Sequence, residues 1–453
     1  MSVTDADLLA RGRPLNSLPP PRSQACVLYV MSRDQRTVDN HALLAAQHHA
    51  IADELPLVVA FVVYPAAGVR AREHFAFMLD GLEDVTDDLA ARNVTFVLLK
   101  ATQSTPALGT LMSLVHRCRP AAVYVDFSPL RGPRALRSAL ASAAGVPVIE
   151  VDTHNIVPAW VTSEKLEFAA RTIRPKIHRH LSRFLVEPPR LVRHPVAWGG
   201  ESLSLSLDEV RRSLLPTLAS NGTSVAAVPG QKAAARALRS FVAHRLATYA
   251  DDRNDPTKDG LSGLSPYFHY GQLATLRVAL SAPDANVLIE EMVVRKELSD
   301  NFCLYQPHYD SLDGAPDWAL RTLAAHAADP RAYVYSYDQL ARAETHDEAW
   351  NAAQRQMTRT GKMHGYMRMY WAKKILEWTP SASRAIEIAI RLNDFYEIDG
   401  GDPNGYVGVM WSIAGVHDRP WSERPVFGQI RYMNEAGLRR KFRIDEYIAR
   451  FPE

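Results

Sequence analysis

The sequence has little cysteine and no run long enough to cross a membrane. Only three cysteines occur, Cys26, Cys118 and Cys303, and they are far apart and not arranged in C-x-x-C pairs. This scarcity argues against a disulfide framework and a zinc site, and it is typical of a reducing compartment. No apolar run reaches membrane-spanning length. The N-terminus also lacks the basic and apolar regions of a secretory signal.

The sequence also has almost no excess of charge. The formal net charge is +2, so any nucleic-acid binding must depend on local basic patches. Apolar residues make up 47% and charged residues 23% of the chain, a composition that can bury large cores. The length of 453 residues exceeds one ordinary domain and predicts two or three.

Residues 24–152 alternate between β-rich runs and helical patterns, which predicts a doubly wound parallel sheet of the α/β class. The β-rich runs are 26–31, 57–65, 94–100, 121–128 and 146–152. The turn after the first run, SRDQR, has no G-x-G-x-x-G, so no standard dinucleotide site is expected there. The sheet can still bind a ligand at its switch point.

Three further segments complete the predicted organisation. Residues 1–23 contain a proline cluster and are expected to form a flexible tail. Residues 153–215 form a connector, with eight Lys/Arg against three Asp/Glu between positions 163 and 195. That balance indicates either a solvated linker or a phosphate-facing surface. Residues 216–453 are almost entirely helical in pattern and predict a separate all-α domain.

An arginine lies among tryptophans in the segment GKMHGYMRMYWAKKILEW, residues 361–378. At 100° per residue, one face of this predicted helix carries His364, Met367, Arg368, Trp371, Ile375 and Trp378. Such a face should pack against a core, where an unpaired guanidinium is very costly. Arg368 therefore needs an acidic or phosphate partner.

Two loops have the composition of ligand-binding loops. In the first, residues 262–265 precede Pro266, and N–H groups and hydroxyls at a helix N-terminus bind phosphate well. An ordinary capped helix would have the same pattern. The second, DGGDPNGY (399–406), allows close backbone approach and supplies Asp399 as a candidate partner for Arg368. It lacks the ligand spacing of a calcium loop, and we predict no metal site.

Aromatic and basic residues are interleaved near the C-terminus. Trp411 and Trp421 could form a stacking platform for bases, although core tryptophans would have the same composition. Between Arg419 and Arg443 there are seven Lys/Arg against two Asp/Glu. Such a patch attracts phosphate backbones, although most charge runs are solvated faces.

Several segments resemble those of class II cyclobutane pyrimidine dimer photolyases. They are MSRDQR, RTIRPK, LSGLSPYFHYGQ, VRKELSDNFCLYQPHYDS, GKMHGYMRMYWAKKILEW and DPNGYVGVMWSIAGVHDRPW, followed by ERPVFGQIRYMN. The resemblance extends from residue 26 to the end. It implies an N-terminal α/β antenna domain, a C-terminal helical domain that holds FAD, and light-driven repair of pyrimidine dimers in DNA.

The resemblance implies a set of cofactor-binding residues. Arg368 and Asp399 would form a salt bridge beside the flavin, and Asn393 would lie near its N5 atom. The residues that would hold the phosphates and ribityl chain are Tyr249, Arg253, Leu261, Ser262, Gly263, Leu264 and Ser265. Gly400 would let the backbone approach FAD closely. A second, antenna chromophore of the deazaflavin or folate type could accompany FAD.

The resemblance also implies residues that act on DNA and on electrons. Those that would face the dimer are Glu291, Met369 and Trp411, and those that would support the opened DNA are Arg419 and Trp421. A buried Glu291 could donate a hydrogen bond to a pyrimidine carbonyl if its pKa were raised enough to protonate it. Trp371 and Trp350 would relay electrons to the flavin, with Trp378 and Tyr335 as branches.

The sequence departs from the family pattern at two places. Position 41 is histidine where the family often has tryptophan, and the segment between residues 280 and 289 is shorter than usual. A cryptochrome-type light sensor and a non-catalytic nucleic-acid-binding protein are the alternatives, but Glu291, Met369 and Trp411 favour repair. We expect a monomeric deoxyribodipyrimidine photo-lyase that acts on DNA without a membrane partner. It would lie in the cytoplasm or nucleoid, or in a eukaryotic nucleus.

Overall fold

The computed structural model describes residues 10–65, 70–201 and 204–453. The strands are β1 (Gly12–Pro14), β2 (Cys26–Met31), β3 (Leu57–Val63), β4 (Thr95–Lys100), β5 (Pro120–Asp126) and β6 (Val148–Val151). The first helices are α1 (His41–Ala52), α2 (Arg72–Ala91), α3 (Ala107–Cys118), α4 (Arg131–Ala143), α5 (Ala159–Thr162), α6 (Ala170–Phe184) and α7 (Leu207–Leu214).

The second half of the chain is helical, as predicted. Its helices are α8 (Gln231–His244), α9 (Tyr249–Asp252), α10 (Ser265–His269), α11 (Thr275–Ser281), α12 (Asn286–Ile289), α13 (Lys296–Tyr305), α14 (Asp317–Ala325), α15 (Tyr337–Ala341), α16 (Glu348–Thr360), α17 (Gly365–Glu377), α18 (Ala382–Tyr396), α19 (Pro403–Ala414), α20 (Glu435–Lys441) and α21 (Ile444–Arg450). A π-helical segment, Glu290–Arg295, joins α12 to α13, and 3₁₀ turns lie at Leu215–Thr217, Leu246–Thr248 and Leu312–Gly314. No helix in these described ranges is long and apolar enough to span a membrane.

The six strands form one sheet in the order β1-β6-β5-β2-β3-β4, and this confirms the α/β prediction. Every neighbouring pair is parallel except β1 with β6. Side chains of β2 alternate between two apolar cores, with Val27 and Tyr29 in one and Cys26 and Leu28 in the other. Both faces of the central strands are therefore buried, as expected for a doubly wound sheet.

The prediction of a flexible tail over residues 1–23 is wrong for Gly12–Pro14, which form the edge strand β1. Arg11 is buried, and its guanidinium donates hydrogen bonds to the carbonyls of Asn155 and Ile156 at 3.1 and 2.8 Å. Local composition could not reveal these distant carbonyl partners. Residues 1–9 of the predicted tail lie outside the described residues.

The turn after β2 connects the sheet to the helical half. Asp126, at the end of β5, accepts hydrogen bonds from the backbone N–H groups of Ser32 and Arg33 at 2.8 and 3.0 Å. The Arg33 guanidinium then donates two hydrogen bonds, each of 2.9 Å, to Asp300 in α13. Such a bidentate pair fixes orientation as well as distance. The switch point thus anchors α13, which packs against α19.

Three fully buried indoles lie in the core of the helical half. Trp350 of α16, Trp371 of α17 and Trp378, directly after α17, are at most 2% exposed. Helix α17 lies against α16, α18 and α19. Trp371 therefore packs in this core, and Arg368, three positions earlier in α17, lines a cavity.

Candidate active site

A cavity of about 360 Å³ lies between α10, the π-helical segment, α17 and α19. Its volume is in the usual range for small-molecule sites. The sequence-predicted residues that line it are Ser265, Glu291, Arg368, Met369, Trp371 and Asp399. Gly365 and Gly408 also line it, and a Cβ atom at either position would enter open space. These glycines leave room for a ligand against two helix backbones.

The predicted direct salt bridge between Arg368 and Asp399 is not formed. The Arg368 Nη2 atom lies 3.3 Å from Glu397 Oε1, and Lys362 Nζ lies 2.5 Å from Asp399 Oδ2. Glu397 is fully buried and also accepts a hydrogen bond from the Met363 N–H at 2.8 Å. The arginine has the acidic partner that its burial requires, but that partner is two residues earlier in the chain than predicted.

Charge balance in this cluster fixes the ionisation of Asp399. Burial alone would raise the pKa of Asp399, but the charges of Lys362 and Arg368 outweigh burial and hold the pKa well below its usual range. Burial raises the pKa of Glu397 despite the same two cations. Asp399 is therefore an anion on the cavity wall at neutral pH, next to the Arg368 cation.

Several buried polar atoms around the cavity have no hydrogen-bond partner within the described residues. They include Arg368 Nε and Asp399 Oδ1, both on residues that line the cavity, whereas His269 Nδ1 lies 3.5 Å from Asp402 Oδ2. Buried polar atoms are almost always paired, so an unpaired donor and acceptor on residues of one cavity wall favour a polar ligand there. The cluster offers both kinds of partner to such a ligand.

Glu291 lies on the cavity wall but is ionically paired. Its Oε1 atom is 3.1 Å from Arg253 Nη1, whose guanidinium lies 5.9 Å from the ring of Tyr249. The π-helical segment presents Glu291 and Met292 to the cavity together, and such segments are frequent at functional sites. The protonated Glu291 of the sequence prediction would have to leave this arginine first.

The predicted phosphate loop meets the cavity only at its end. Ser265, the first residue of α10, lines the cavity, whereas Ser262 and Leu264 are buried elsewhere. Gly263 has a φ of +69°, a conformation that favours glycine. The carbonyl of Leu261 is held by an arginine side chain at 3.0 Å. The structure thus brings one member of this loop to the cavity.

Asn393 and Gly400 support the cavity wall without lining it. The Asn393 Nδ2 atom would lie 2.9 Å from a Cβ at Gly405, which does line the cavity. A Cβ at Gly400 would lie 2.7 Å from the Asn393 carbonyl and the Asp394 Cα. Both glycines are therefore required by close approach of the backbone to Asn393.

A chain of aromatic rings leads away from the cavity. Trp371 lines the cavity and stacks on Trp350, with ring centroids 6.4 Å apart and planes 9° from parallel. Trp350 contacts Trp378 edge to face at 5.7 Å, and Trp378 contacts Tyr335 at 5.5 Å. The four aromatic residues proposed from the resemblance therefore form a continuous path to a half-buried tyrosine.

Trp411 and Trp421 are held by one arginine. The Arg431 guanidinium lies 5.3 Å from the Trp411 ring and 4.1 Å from the Trp421 ring, and it pairs with Asp418 at 3.1 Å. Trp421 is 38% exposed, a large value for tryptophan, and Arg419 is also exposed. These residues present aromatic and cationic groups outside the cavity, since none of them lines it.

Several named proteins are similar to this chain over most of its length. The chain is 46% identical to the deoxyribodipyrimidine photo-lyase of Oryza sativa subsp. japonica, over 93% of this chain and 87% of that protein. It is 46% identical to that of Potorous tridactylus, over 94% and 81%. It is 42% identical to that of Methanothermobacter thermautotrophicus, over 97% of both. The chain belongs to the DNA photolyase family.

Two further comparisons agree with the family and its fold. The sequence model of the family described as DNA photolyase matches residues 27–194. The crystal structure of a bacterial class III photolyase from Agrobacterium tumefaciens superposes with a TM-score of 0.72, covering 96% of this chain and 88% of that one at 19% identity. The arrangement of an α/β part followed by a helical part is thus the photolyase fold.

The photolyase family implies a flavin cofactor, and the residues present fit that group. A flavin ring edge carries both hydrogen-bond donors and acceptors. Arg368 and Asp399, each with an unpaired polar atom, offer both kinds of partner, and Gly365 and Gly408 leave open space beside helix α17 and helix α19. The cavity wall therefore has the chemistry that a flavin ring needs.

Sequence reasoning missed Glu397, Lys362 and His269. Glu397 and Asp399 are two apart, and the backbone at Glu397 is extended, so their side chains can point to the same side. That spacing in YEIDGG was the available signal for Glu397. Nothing in the local sequence distinguishes Lys362 from a solvated lysine, because its two acidic partners follow more than thirty residues later.

We expect Glu397→Ala to destabilise the protein by about 1–3 kcal/mol, because it leaves the buried Met363 N–H without its acceptor and Arg368 without its ion-pair partner. The free energy of unfolding in urea measures this effect. Glu387→Ala is the matched control, since Glu387 forms an exposed pair with Arg384 and should cost less than about 1 kcal/mol. Equal losses in the two variants would contradict the role of Glu397.

Lys373 should make stability depend on pH. Its fully buried ammonium lies 4.7 Å from the Trp411 ring, and burial lowers its pKa to about 7. An unfolded lysine titrates near pH 10.4, so above pH 7 the unfolded state binds more protons and stability rises with pH. Relative to Lys373→Met, the parent should gain about 1.4 kcal/mol per pH unit above pH 7. A constant difference between about pH 6 and pH 9 would contradict the lowered pKa.

Proposed function

We propose that this protein is a class II photolyase that uses FAD and light to reverse cyclobutane pyrimidine dimers in DNA. The observation that carries the proposal is the cavity whose walls combine Arg368 and Asp399, each with an unpaired polar atom, with Trp371. A polar ligand held there would contact the first indole of the aromatic path. Relatives at 42–46% identity are named deoxyribodipyrimidine photo-lyases.

Arg368, Asp399 and His269 would hold FAD, with Ser265 at the first turn of α10. The bound cofactor would supply one electron to the dimer on excitation and take it back after the cyclobutane bonds break. The ionised Asp399 and the Arg368 cation give this wall a fixed field. Met363 and Glu397 keep the arginine in place, so a ligand meets a preorganised site.

Glu291 and Met369, on the cavity wall, would contact the dimer after it leaves the duplex. A damaged base pair lowers the cost of that flipping. Arg253 would exchange its pairing with Glu291 for a phosphate, and Glu291 would then be free to take a proton and donate to a pyrimidine carbonyl. Trp411 would stack on the dimer, and Trp421 and Arg419 would support the opened strands.

The aromatic path would reduce oxidised cofactor between repair cycles. Trp371 is on the cavity wall, and each following ring centroid is at most 6.4 Å from the one before it. Electron tunnelling falls steeply with distance, so rings in contact are a favourable route. The Trp350 indole N–H donates to the Trp371 carbonyl at 3.0 Å, and this hydrogen bond fixes the stack.

Other parts of the proposal follow from the resemblance. We place the α/β antenna domain at residues 24–152, the connector at 153–215 and the cofactor domain at 216–453. The protein would act as a monomer, inside the cell where DNA lies. A deazaflavin or folate chromophore could transfer excitation energy to FAD. Purification of the protein with its bound chromophores and an absorption spectrum would identify both.

We expect the purified protein to reverse cyclobutane dimers in duplex DNA under blue light and not in the dark. Binding should weaken as salt rises, because phosphate contacts release counterions. Trp411→Ala should raise the Kd for damaged DNA by about 5- to 150-fold, the equivalent of one lost stacking contact. Trp198→Ala is the control, because it removes an indole that packs against the core of the sheet, and this variant should bind as the parent does.

Two outcomes would contradict these expectations, the first about repair and the second about Trp411. Photoreduction of the cofactor without any dimer reversal would indicate a light sensor instead. A Trp411→Ala protein that binds damaged DNA as tightly as the parent would leave Trp411 as a packing residue against Lys373.

We expect Trp371→Phe to abolish photoreduction of oxidised FAD, while chemically reduced enzyme still repairs dimers in light. Phenylalanine keeps an apolar ring, so the fold and cofactor content should survive, but it is much harder to oxidise than tryptophan. Steady-state absorption under illumination measures the loss. Trp318→Phe is the control, since Trp318 has no ring contact with the path. Unchanged photoreduction in Trp371→Phe would refute the relay.

A further inference from the structure

Three rings lie beyond Trp378 at the outer end of the aromatic path. Tyr335 and His346 both contact the Trp378 ring, at centroid distances of 5.5 and 5.1 Å. The Tyr335 N–H donates to the Trp378 carbonyl at 3.1 Å, which fixes the tyrosine beside the indole. Tyr333 stacks on His346 at 3.7 Å and is 48% exposed. Three rings thus form a cluster between the last buried tryptophan and solvent.

The Tyr335 phenol oxygen makes two contacts with His346. The phenol oxygen accepts a hydrogen bond from the His346 backbone N–H at 3.0 Å. It also lies 2.7 Å from His346 Nδ1. In the tautomer with the imidazole proton on Nε2, the phenol O–H donates to Nδ1. In that tautomer the histidine is the acceptor of the phenol proton.

We propose that His346 is the base that takes the phenol proton when Tyr335, already a branch of the relay that the resemblance implies, is oxidised. The proposal rests on the photoreduction relay of the proposed function and adds a proton-transfer step to it. Oxidation of a phenol makes it a very strong acid, so an electron leaves it readily only when a base accepts the proton. Among described residues, His346 Nδ1 is the side-chain base hydrogen-bonded to this phenol.

The step balances without any further reactant. The oxidised indole of Trp378 receives one electron from Tyr335 and becomes a neutral indole. The Tyr335 O–H bond breaks, and its proton forms an N–H bond at His346 Nδ1. The products are a neutral tyrosyl radical and an imidazolium. His346 is exposed, so the imidazolium can pass its other proton, from Nε2, to water.

This arrangement separates the charges that would otherwise recombine. Once the phenol proton has left, an electron cannot return from Trp378 to the tyrosyl radical without the proton returning as well. The new imidazolium N–H still donates to the radical oxygen, together with the backbone N–H of His346. The stacked, exposed Tyr333 offers a further site where an external reductant can reach the cluster.

The test uses the full-length, flavin-loaded protein and time-resolved absorption after a blue flash. We expect a neutral tyrosyl radical in the parent, formed more slowly in D₂O, and none in Tyr335→Phe. His346→Gln keeps a hydrogen-bond acceptor but no base, and should slow radical formation on the order of 10²-fold. Added imidazole should restore the rate in His346→Gly. Tyr337→Phe is the control, since Tyr337 packs on Arg391 outside the cluster, and it should behave as the parent.

A second readout does not depend on light. The ¹⁵N NMR shifts of His346 should show an unprotonated, hydrogen-bonded Nδ1 in the parent, and Tyr335→Phe should remove that hydrogen bond. Radical formation at the parent rate in His346→Gln would overturn the proposal, as would a tyrosyl radical in Tyr335→Phe or photoreduction without a tyrosyl radical in the parent. If the parent cannot photoreduce its flavin at all, the relay of the proposed function fails, and the NMR result shows that the folded cluster was nevertheless intact.

Discussion

The candidate site depends on one buried carboxylate. Glu397 binds the Arg368 guanidinium, lies within 3.5 Å of Lys362 and accepts the Met363 N–H. Its own carbonyl accepts a hydrogen bond from His74 in α2 at 2.8 Å. Glu397, which directly precedes the loop 399–406, thus contacts both the start of α17 and helix α2 of the α/β part. Without it, Arg368 would lose its salt-bridge partner, because Asp399 pairs with Lys362 instead.

The same helix serves both the cavity and the aromatic path. Arg368 and Met369 face the cavity, and Trp371, less than one turn later, contacts both the cavity and Trp350. A displacement of α17 would therefore alter ligand contact and ring stacking together. The carbonyl of Trp371 is also bonded to the Trp350 indole, and the Trp371 indole is bonded to Gln354 at 2.8 Å. These hydrogen bonds limit rotation of both rings.

The sequence analysis predicted the sheet, the helical half and six of the residues that line the cavity, but not the pairing inside the site. The runs that became β2 and β3 are apolar along their whole length, so period and composition were sufficient. Arg368 was identified because a guanidinium conflicts with an apolar face. Its partner was misassigned to Asp399 because two carboxylates, two residues apart, could both reach it. Only the packing of the folded chain determines that Glu397, and not Asp399, pairs with Arg368.

Long-range contacts explain the other differences. The sequence analysis considered Glu291 as a hydrogen-bond donor only if it were protonated, and Arg253, nearly forty positions earlier, lies 3.1 Å from it. The tail prediction failed because the partners of Arg11 lie more than 140 positions later. In both cases the local segment contains no mark of the contact. Side-chain pairing between segments that are far apart in the sequence is the part of this structure that a single sequence leaves open.

The edge strand β1 also determines how the chain can be shortened. It covers the outer side of β6 with an antiparallel register from Gly12–Val151 to Pro14–Ile149. If the chain began at Cys26, the first long predicted strand, the unpaired N–H and C=O groups of β6 would be open to solvent. Exposed strand edges of this kind template pairing with other chains. Because β1 is only three residues long, it leaves a short outer edge, and short edge strands are one way in which proteins limit such pairing.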